Sequence, residues 1–168
     1  GPGMKYFIVS VDGNYVPPAA IGWYGVIDRM TLHKKKAYEV QKHLLFLVEK
    51  HMQMVFTDVV AFPCFMVSGM VREAIKMYAP FLKYVRVILF QKEEGKSMAY
   101  YIPYLEQIPV GRDKDGKGIY LDGEKAGNRV IMEAADRDRL HIVMRMDLVE
   151  SILRRGAVGI GLKEIKVW

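Results

Sequence analysis

The sequence holds one cysteine, Cys64, in 168 residues. No internal disulfide can form, and a domain of this size that does without one is expected in a reducing compartment, here the cytoplasm. Cys64 follows Pro63 in an apolar stretch with no basic neighbour to lower its pKa, so it reads as a buried, inert thiol. Long apolar runs are also missing. None reaches the roughly 18–20 residues that cross a bilayer; the richest, at 44–48 and 85–90, are strand-sized. Residues 4–11 are too short an apolar stretch for a signal peptide and run straight into Asp12, so they are expected to form a first strand. No membrane partner is expected.

Catalytic and metal-binding patterns are absent too. The four histidines, His33, His43, His51 and His141, have no second ligand at metal spacing, and there is no His-Glu-x-x-His or paired-cysteine arrangement. No phosphate loop and no G-x-S-x-G elbow occurs. The expectation is a protein that is not an enzyme and uses no metal or cofactor.

What is there is a globular composition. Apolar residues make up 51% of the chain, enough for a substantial core. Gly1, Pro2 and Gly3 precede Met4 and read as a cloning remnant. Residues 4–168 are expected to form a single α+β domain, with 4–57 and 58–168 as candidate lobes sharing one core. The net charge of +6 and the pI near 9.3 raise the question of nucleic acid. Yet the basic residues are dispersed, most beside acidic neighbours, and no segment interleaves aromatics with basic residues as an RNA-binding sheet does. A solvated basic surface is the better reading.

Alternation and turn chemistry lay out the elements. Strands are expected at 4–11, 21–29, 44–48, 57–67 broken by Pro63, 83–91, 97–105, 140–144 and 158–168, and 31–41 is polar. Residues 83–105 form a hairpin around Glu93-Glu94-Gly95-Lys96. Val71, Ala74, Ile75 and Tyr78 share one helical face, with Ser68 as cap and Pro80 as stop. A second helix starts at Asp147, with Glu150 completing a capping box, and ends at Gly156. Segments 65–90 and 141–167 therefore both read strand, helix, strand. Placing Glu73 on Glu150 gives an offset of 77 (150 − 73) that also matches Val71 with Leu148 and Ile75 with Ile152. Such a pseudo-repeat predicts two similar units packing their helices on one side of a shared, mixed and mostly antiparallel sheet.

Two segments invite functional readings. Asp113 to Glu124 fits a calcium loop with acids at positions 1, 3 and 12 and Gly118 at 6. However, Lys117 replaces an oxygen ligand, and the preceding 100–104 is strand-like, so a polar turn is the expected structure. The segment Asn14-Tyr15-Val16-Pro17-Pro18, with Trp23 and Tyr24, is dense in aromatics and proline. Core and turn packing explains it first; the functional alternative is a rigid anchor for a partner, formed by Tyr15, Trp23 and Tyr24. Arg154 and Arg155 suit a helix C-terminus and complete the candidate partner-binding set by offering charge to an acidic surface. The eleven methionines, Met52, Met54, Met66, Met70 and Met77 among them, read as adaptable core packing.

The run Phe65-Met66-Val67-Ser68, the helix after it, a strand and then Tyr100-Tyr101-Ile102-Pro103 resemble a family of small bacterial immunity proteins from polymorphic-toxin systems, once filed as a domain of unknown function. The closing strand, helix and Gly-rich strand, from Ile142-Val143 through Arg154-Arg155-Gly156 to Gly159-Ile160-Gly161-Leu162, resemble the same family, and the likeness spans 58–168. It implies a protein encoded beside a toxin, which it binds and occludes without catalytic residues of its own. Nuclease toxins are basic, so a +6 inhibitor would be matched to an acidic, non-nuclease toxin. Two alternatives stand beside this reading. A small-ligand enzyme or sensor would show a closed cavity with convergent polar groups, and a basic nucleic-acid binder would show salt-dependent binding to generic DNA or RNA.

Overall fold

Six strands close into a barrel beside an open sheet of five, in a computed structural model that describes residues 3–28, 32, 43–116, 118–137 and 139–168. The expected polar stretch 31–41 lies outside the described residues except for Leu32. In chain order the elements are β1 (Tyr6–Val11), β2 (His43–Leu47), β3 (Val59–Val60), β4 (Met66–Ser68), α1 (Gly69–Tyr78), β5 (Tyr84–Gln91), β6 (Lys96–Pro103) and β7 (Gln107–Arg112). Then come β8 (Ile119–Leu121), α2 (Gly123–Ala126), β9 (Ile131–Asp136), β10 (Arg139–Arg145), α3 (Met146–Arg154) and β11 (Ile160–Val167). The class is α+β. Among the described residues no helix is long and apolar enough to cross a membrane.

The barrel runs β1-β10-β9-β7-β8-β11, and the sheet runs β2-β5-β6-β4-β3. Both are mixed: β2 is parallel to β5, β7 to β9 and β8 to β11, and the other pairings are antiparallel. The single shared sheet expected from the sequence is thus replaced by two sheets. Alternation sets the faces. In β5, Val85, Val87 and Leu89 are buried while Tyr84, Arg86, Ile88 and Phe90 are half-buried, as period-two side chains require. The inward residues of β5 pack with Phe46, Met66, Tyr100 and Ile102 on one face of the sheet. Tyr6, Ile108, Leu121, Met132, Val143 and Ile165 fill the barrel. Helices α1 and α3 lie against each other in the layer between, where Val71, Ile75, Leu148 and Ile152 meet Val9 and Met144 of the barrel and Val67 of the sheet.

The two strand-helix-strand units have the same construction. In each, two parallel strands flank a third that runs antiparallel to both: β4 and β5 flank β6, and β10 and β11 flank β1. The likeness extends one strand further on each side. β2 lies parallel to β5 as β8 does to β11, and β3 lies antiparallel to β4 as β9 does to β10. The 77-residue offset places Ser68 on Arg145, and these are the N-caps of α1 and α3.

Several expectations need correction. The strand expected at 21–29 is a run of turns through residue 28, with only Ala20 bridged to Val48. Gly25 turns the chain with φ of 77°, a conformation open to glycine, and the Trp23 carbonyl accepts from the Val26 and Ile27 amides. Asp147 is not the cap of α3. It lies inside the first turn, its carboxylate accepting from the Arg145 guanidinium, because β10 runs directly into the helix and places Arg145 at the N-cap, where it makes no side-chain capping bond. The methionines divide: Met66, Met132 and Met144 are core, whereas Met52 and Met77 are exposed. The calcium-loop segment is the β7–β8 hairpin followed by α2. Its acids are separated, Asp113 facing Lys166 at 3.4 Å and Asp122 capping α2 through the Glu124 and Lys125 amides. Lys117 lies outside the described residues.

Candidate functional site

Two features stand out, an aromatic ridge at the surface and a cleft between barrel and sheet. The ridge begins with the turn after Ala20. Ile27 is wholly buried and anchors the turn, and the Asp28 carboxylate accepts from the Gly25 amide at 2.6 Å. This fixes Trp23 and Tyr24 above. Trp23 meets Tyr24 at 6.0 Å and Phe62 at 5.0 Å between ring centroids, both edge-on, the geometry aromatic quadrupoles prefer. Tyr24 is 84% exposed and Phe62 64%, and both rest edge-on against Trp23, which is half-buried against the core of the sheet. Core packing, the first explanation for this segment, does not describe Tyr24. Tyr15 is itself 37% exposed and, with Phe62, Pro17, Pro18 and Met54, borders a groove of about 510 Å3.

Arg154 and Arg155 are engaged elsewhere. Arg155 closes α3 by donating to the Ser151 carbonyl and hydroxyl, and its other nitrogen lies 3.0 Å from the Met77 sulfur. Arg154 reaches Glu150 at 4.0 Å on the exposed face of α3. Trp23 and Tyr24 of the predicted partner set are therefore in one ring cluster with Phe62, which sequence reasoning missed, while Tyr15 only borders the same groove as Phe62. Phe62 comes from the β3–β4 loop, and only the folded chain brings it to Trp23.

The cleft has a volume of about 440 Å3 and lies where β6 ends and the chain crosses from sheet to barrel. Pairing across β1, β10 and β9 sets Val9, Ile142 and Glu133 in one row along the barrel side. Pro63, Cys64 and Phe65 from the β3–β4 loop and Pro103, Tyr104 and Leu105 from the end of β6 form the opposing wall. Among the described lining residues the polar side chains are Ser10, Cys64, Tyr104, Glu133 and His141, and there is no lysine or arginine. Burial pushes the Cys64 thiol up to about 12, and the Asp28 and Glu133 charges add to that shift. A thiol so held is protonated at neutral pH and is no nucleophile, so the sequence reading of Cys64 as inert agrees with its surroundings. Burial also raises the Tyr104 hydroxyl above its ordinary value, and its oxygen is buried with no hydrogen-bond partner among the described residues. Glu133 accepts from the Gln107 amide nitrogen at 3.3 Å.

Among its described residues the cleft offers one carboxylate, Glu133, the His141 imidazole, the Ser10 and Tyr104 hydroxyls, the Cys64 thiol and apolar walls. Its described residues come from six separate stretches of the chain with no spacing pattern, so no local signal marks them. Among the described residues no cluster of three or more His, Cys, Asp or Glu could hold a metal ion. No protein-family model matches the chain, and no curated protein is significantly similar to it.

Proposed function

We propose that this chain is an immunity protein that binds a cognate bacterial toxin and neutralises it by occluding a surface on it. The observation that carries this reading is the aromatic ridge in which exposed Tyr24 and Phe62 are held against the half-buried Trp23. Large aromatics held in fixed geometry at a surface lose little freedom on binding and tend to dominate interface energetics. The turn tied by Asp28 and Gly25 supplies that order in advance. The apolar surface beside the ridge, Ile21 at 50% and Leu47 at 43% exposure, extends the area a partner would cover. The family resemblance of 58–168 supplies the class of partner, a toxin encoded next to this gene.

The test is co-expression with the product of the adjacent gene. Growth should be rescued by the full chain, and a one-to-one complex should be isolated. Tyr24→Ala combined with Phe62→Ala should weaken that complex by about 2–4 kcal/mol, the range for hot-spot residues, with the melting temperature of the free chain unchanged. Absence of a toxin gene beside this one, or rescue untouched by the double variant, would overturn the reading.

A further inference from the structure

The open sheet is covered unevenly on its helix side. Cross-strand partners point to the same face, so the pairing sets Leu45, Ile88 and Ala99 in one row and Leu47 and Phe90 in the next. A third row, on the other flank of Leu45, holds His43, Arg86 and Tyr101. Helix α1 lies over Tyr101 and Val67, on the β4 side of this face. Beyond it the face is open. Leu45 is 65% and Leu47 43% exposed, while Ile88, Phe90 and Ala99 are half-buried and stand outside the three core clusters. The reverse face of the same strands, with Phe46, Val87 and Leu89, is buried.

Two guanidinium groups border the apolar rows. Arg86 is half-buried and makes no hydrogen bond or ion pair among the described residues. Arg72 reaches in from α1, its guanidinium carbon 4.5 Å from the Tyr101 ring centroid, and its Nε is buried with no hydrogen-bond partner among the described residues. It meets the Glu73 carboxylate at 3.6 Å, but that carboxylate is shared with Lys76 at 3.8 Å. The three rows themselves contain no carboxylate. Glu93 and Glu94 sit in the β5–β6 turn, at the far end of β5 from Arg86, and Glu94 is 3.3 Å from Lys96.

Size and charge together select the occupant. Three strands across and three alternate residues along make a floor of roughly 10 Å by 13 Å. That is the footprint of one helix, about 10 Å in diameter, and far below the roughly 800 Å2 that each member of a stable dimer buries. A second copy would also bring no acid from this face to Arg86. Phe90 alone among aliphatic neighbours is a poor platform for stacked bases. We propose that this face binds an amphipathic helix of a protein partner, laid beside α1 with its apolar stripe on Leu45, Ile88 and Phe90 and an aspartate or glutamate at its Arg86 end. The Arg86 guanidinium would donate to that carboxylate, and Arg72 would add positive charge behind it. Trp23, Tyr24 and Phe62 take no part, so the site stands whether or not the ridge binds a toxin.

The probe is a displayed library of peptides of about 16 residues, roughly four and a half helical turns, randomised on an alanine-rich background. It is selected on the full chain and counter-selected on Leu45→Glu, which removes peptides bound elsewhere. Retained sequences should carry apolar residues at i, i+3, i+4 and i+7 with a net negative charge, and should shift the amides of Arg86, Ile88 and Ala99. Arg86→Glu should weaken a retained peptide at least about tenfold, the effect of losing one ionic hydrogen bond. Exchanging the peptide's acid for lysine should restore binding to that variant, which a merely structural role for Arg86 would not produce. The melting temperature of Arg86→Glu should stay within about 2 °C of the wild type, as for a surface change that breaks no bond. No retained peptide, retained peptides that are basic, or affinity untouched by Arg86→Glu would overturn the proposal. So would a larger fall in that melting temperature, which would mean Arg86 has a structural partner. Failure of every peptide together with saturable single-stranded RNA binding that Arg86→Glu abolishes would overturn it in favour of nucleic acid.

Discussion

The barrel and the open sheet share one five-strand plan and differ by a single strand. Each sets two parallel strands around an antiparallel one, with a helix joining the flanking pair. In the barrel, β7 then pairs with both β8 and β9 and closes the ring. In the sheet, among the described residues, nothing joins β2 to β3, and both remain edges. Closure removes unpaired backbone and the need to cover it, and the consequences appear at the surface. Among the described barrel strands, only Val167 is a large exposed hydrophobic side chain, whereas Leu45 and Leu47 of β2 and the neighbouring Ile21, Tyr24 and Phe62 are all exposed. The β2 edge is covered along part of its length, by the bonds Ile21 N to Leu47 O and Glu49 N to Ala19 O, both 2.8 Å. That covering segment leads directly into the aromatic ridge. The closed half is scaffold, and the open half carries the surface on which the proposed function rests.

If the two halves are held by one helical layer, equivalent core positions must matter equally. Ile75 and Ile152 correspond under the offset, are both wholly buried and belong to the same cluster. Ile75→Ala and Ile152→Ala should each destabilise by about 2–5 kcal/mol in denaturant unfolding, the usual cost of such a cavity. The double variant should depart from the sum by more than about 0.5 kcal/mol, because side chains in contact do not act additively. Clean additivity, or two separate unfolding transitions, would show that the barrel and the sheet are stabilised independently.

The caps should then separate the halves. The Ser68 hydroxyl donates to Asp58 at 2.7 Å and accepts from the Val71 amide at 3.3 Å, and Asp58 also accepts from the Val158 amide at 2.6 Å. One buried serine thus ties α1 to the chain that follows α3. Ser68→Ala should cost about 1–3 kcal/mol, combining the lost cap with an unsatisfied buried partner. Arg145, its counterpart, makes no side-chain cap, and its pair with Asp147 is partly solvated. Arg145→Ala should cost about 1 kcal/mol or less. Equal losses would mean that the cap plays no special part in α1.

How much of this was legible in the sequence follows from what each feature depends on. Helix α1 was read with its cap, its stop and three of its four face residues, because Ser68, the Val71/Ala74/Ile75 spacing and Pro80 are local signals; Tyr78, expected on the same face, is exposed in the last turn. The hairpin of β5 and β6 was read for the same reason. The pseudo-repeat offset was read from one pair of glutamates and carries through to the caps. The division into barrel and sheet was not legible. It depends on β1 inserting between β10 and β11 from the far end of the chain, and on β7 choosing both β8 and β9, and neither choice leaves a local mark. The cap of α3 was misread because Asp147 and Glu150 imitate a capping box two residues late. Tyr15, Trp23 and Tyr24 were found as a dense segment, but Phe62, Tyr104 and Glu133 acquire meaning only from their neighbours in space.

The smallest expected difference between the halves is in acid. Arg145 holds the Asp147 carboxyl below its ordinary value, chiefly through the hydrogen bonds from its guanidinium, with the Leu148 amide adding to the effect. A carboxyl whose folded-state pKa is depressed adds stability that is present above its unfolded value, near 3.8, and is lost as pH falls through the folded value. Met70 occupies the equivalent position in α1 and does not titrate. Native-state hydrogen exchange below about pH 4 should therefore show the first turn of α3 losing protection before that of α1, since local openings draw on local stability. Asp147→Asn should abolish the difference in pH dependence while lowering protection of α3 at neutral pH. If both helices lose protection together in the wild type and in the variant, the layer opens as one unit, and the acid response belongs to the whole fold and not to the barrel half.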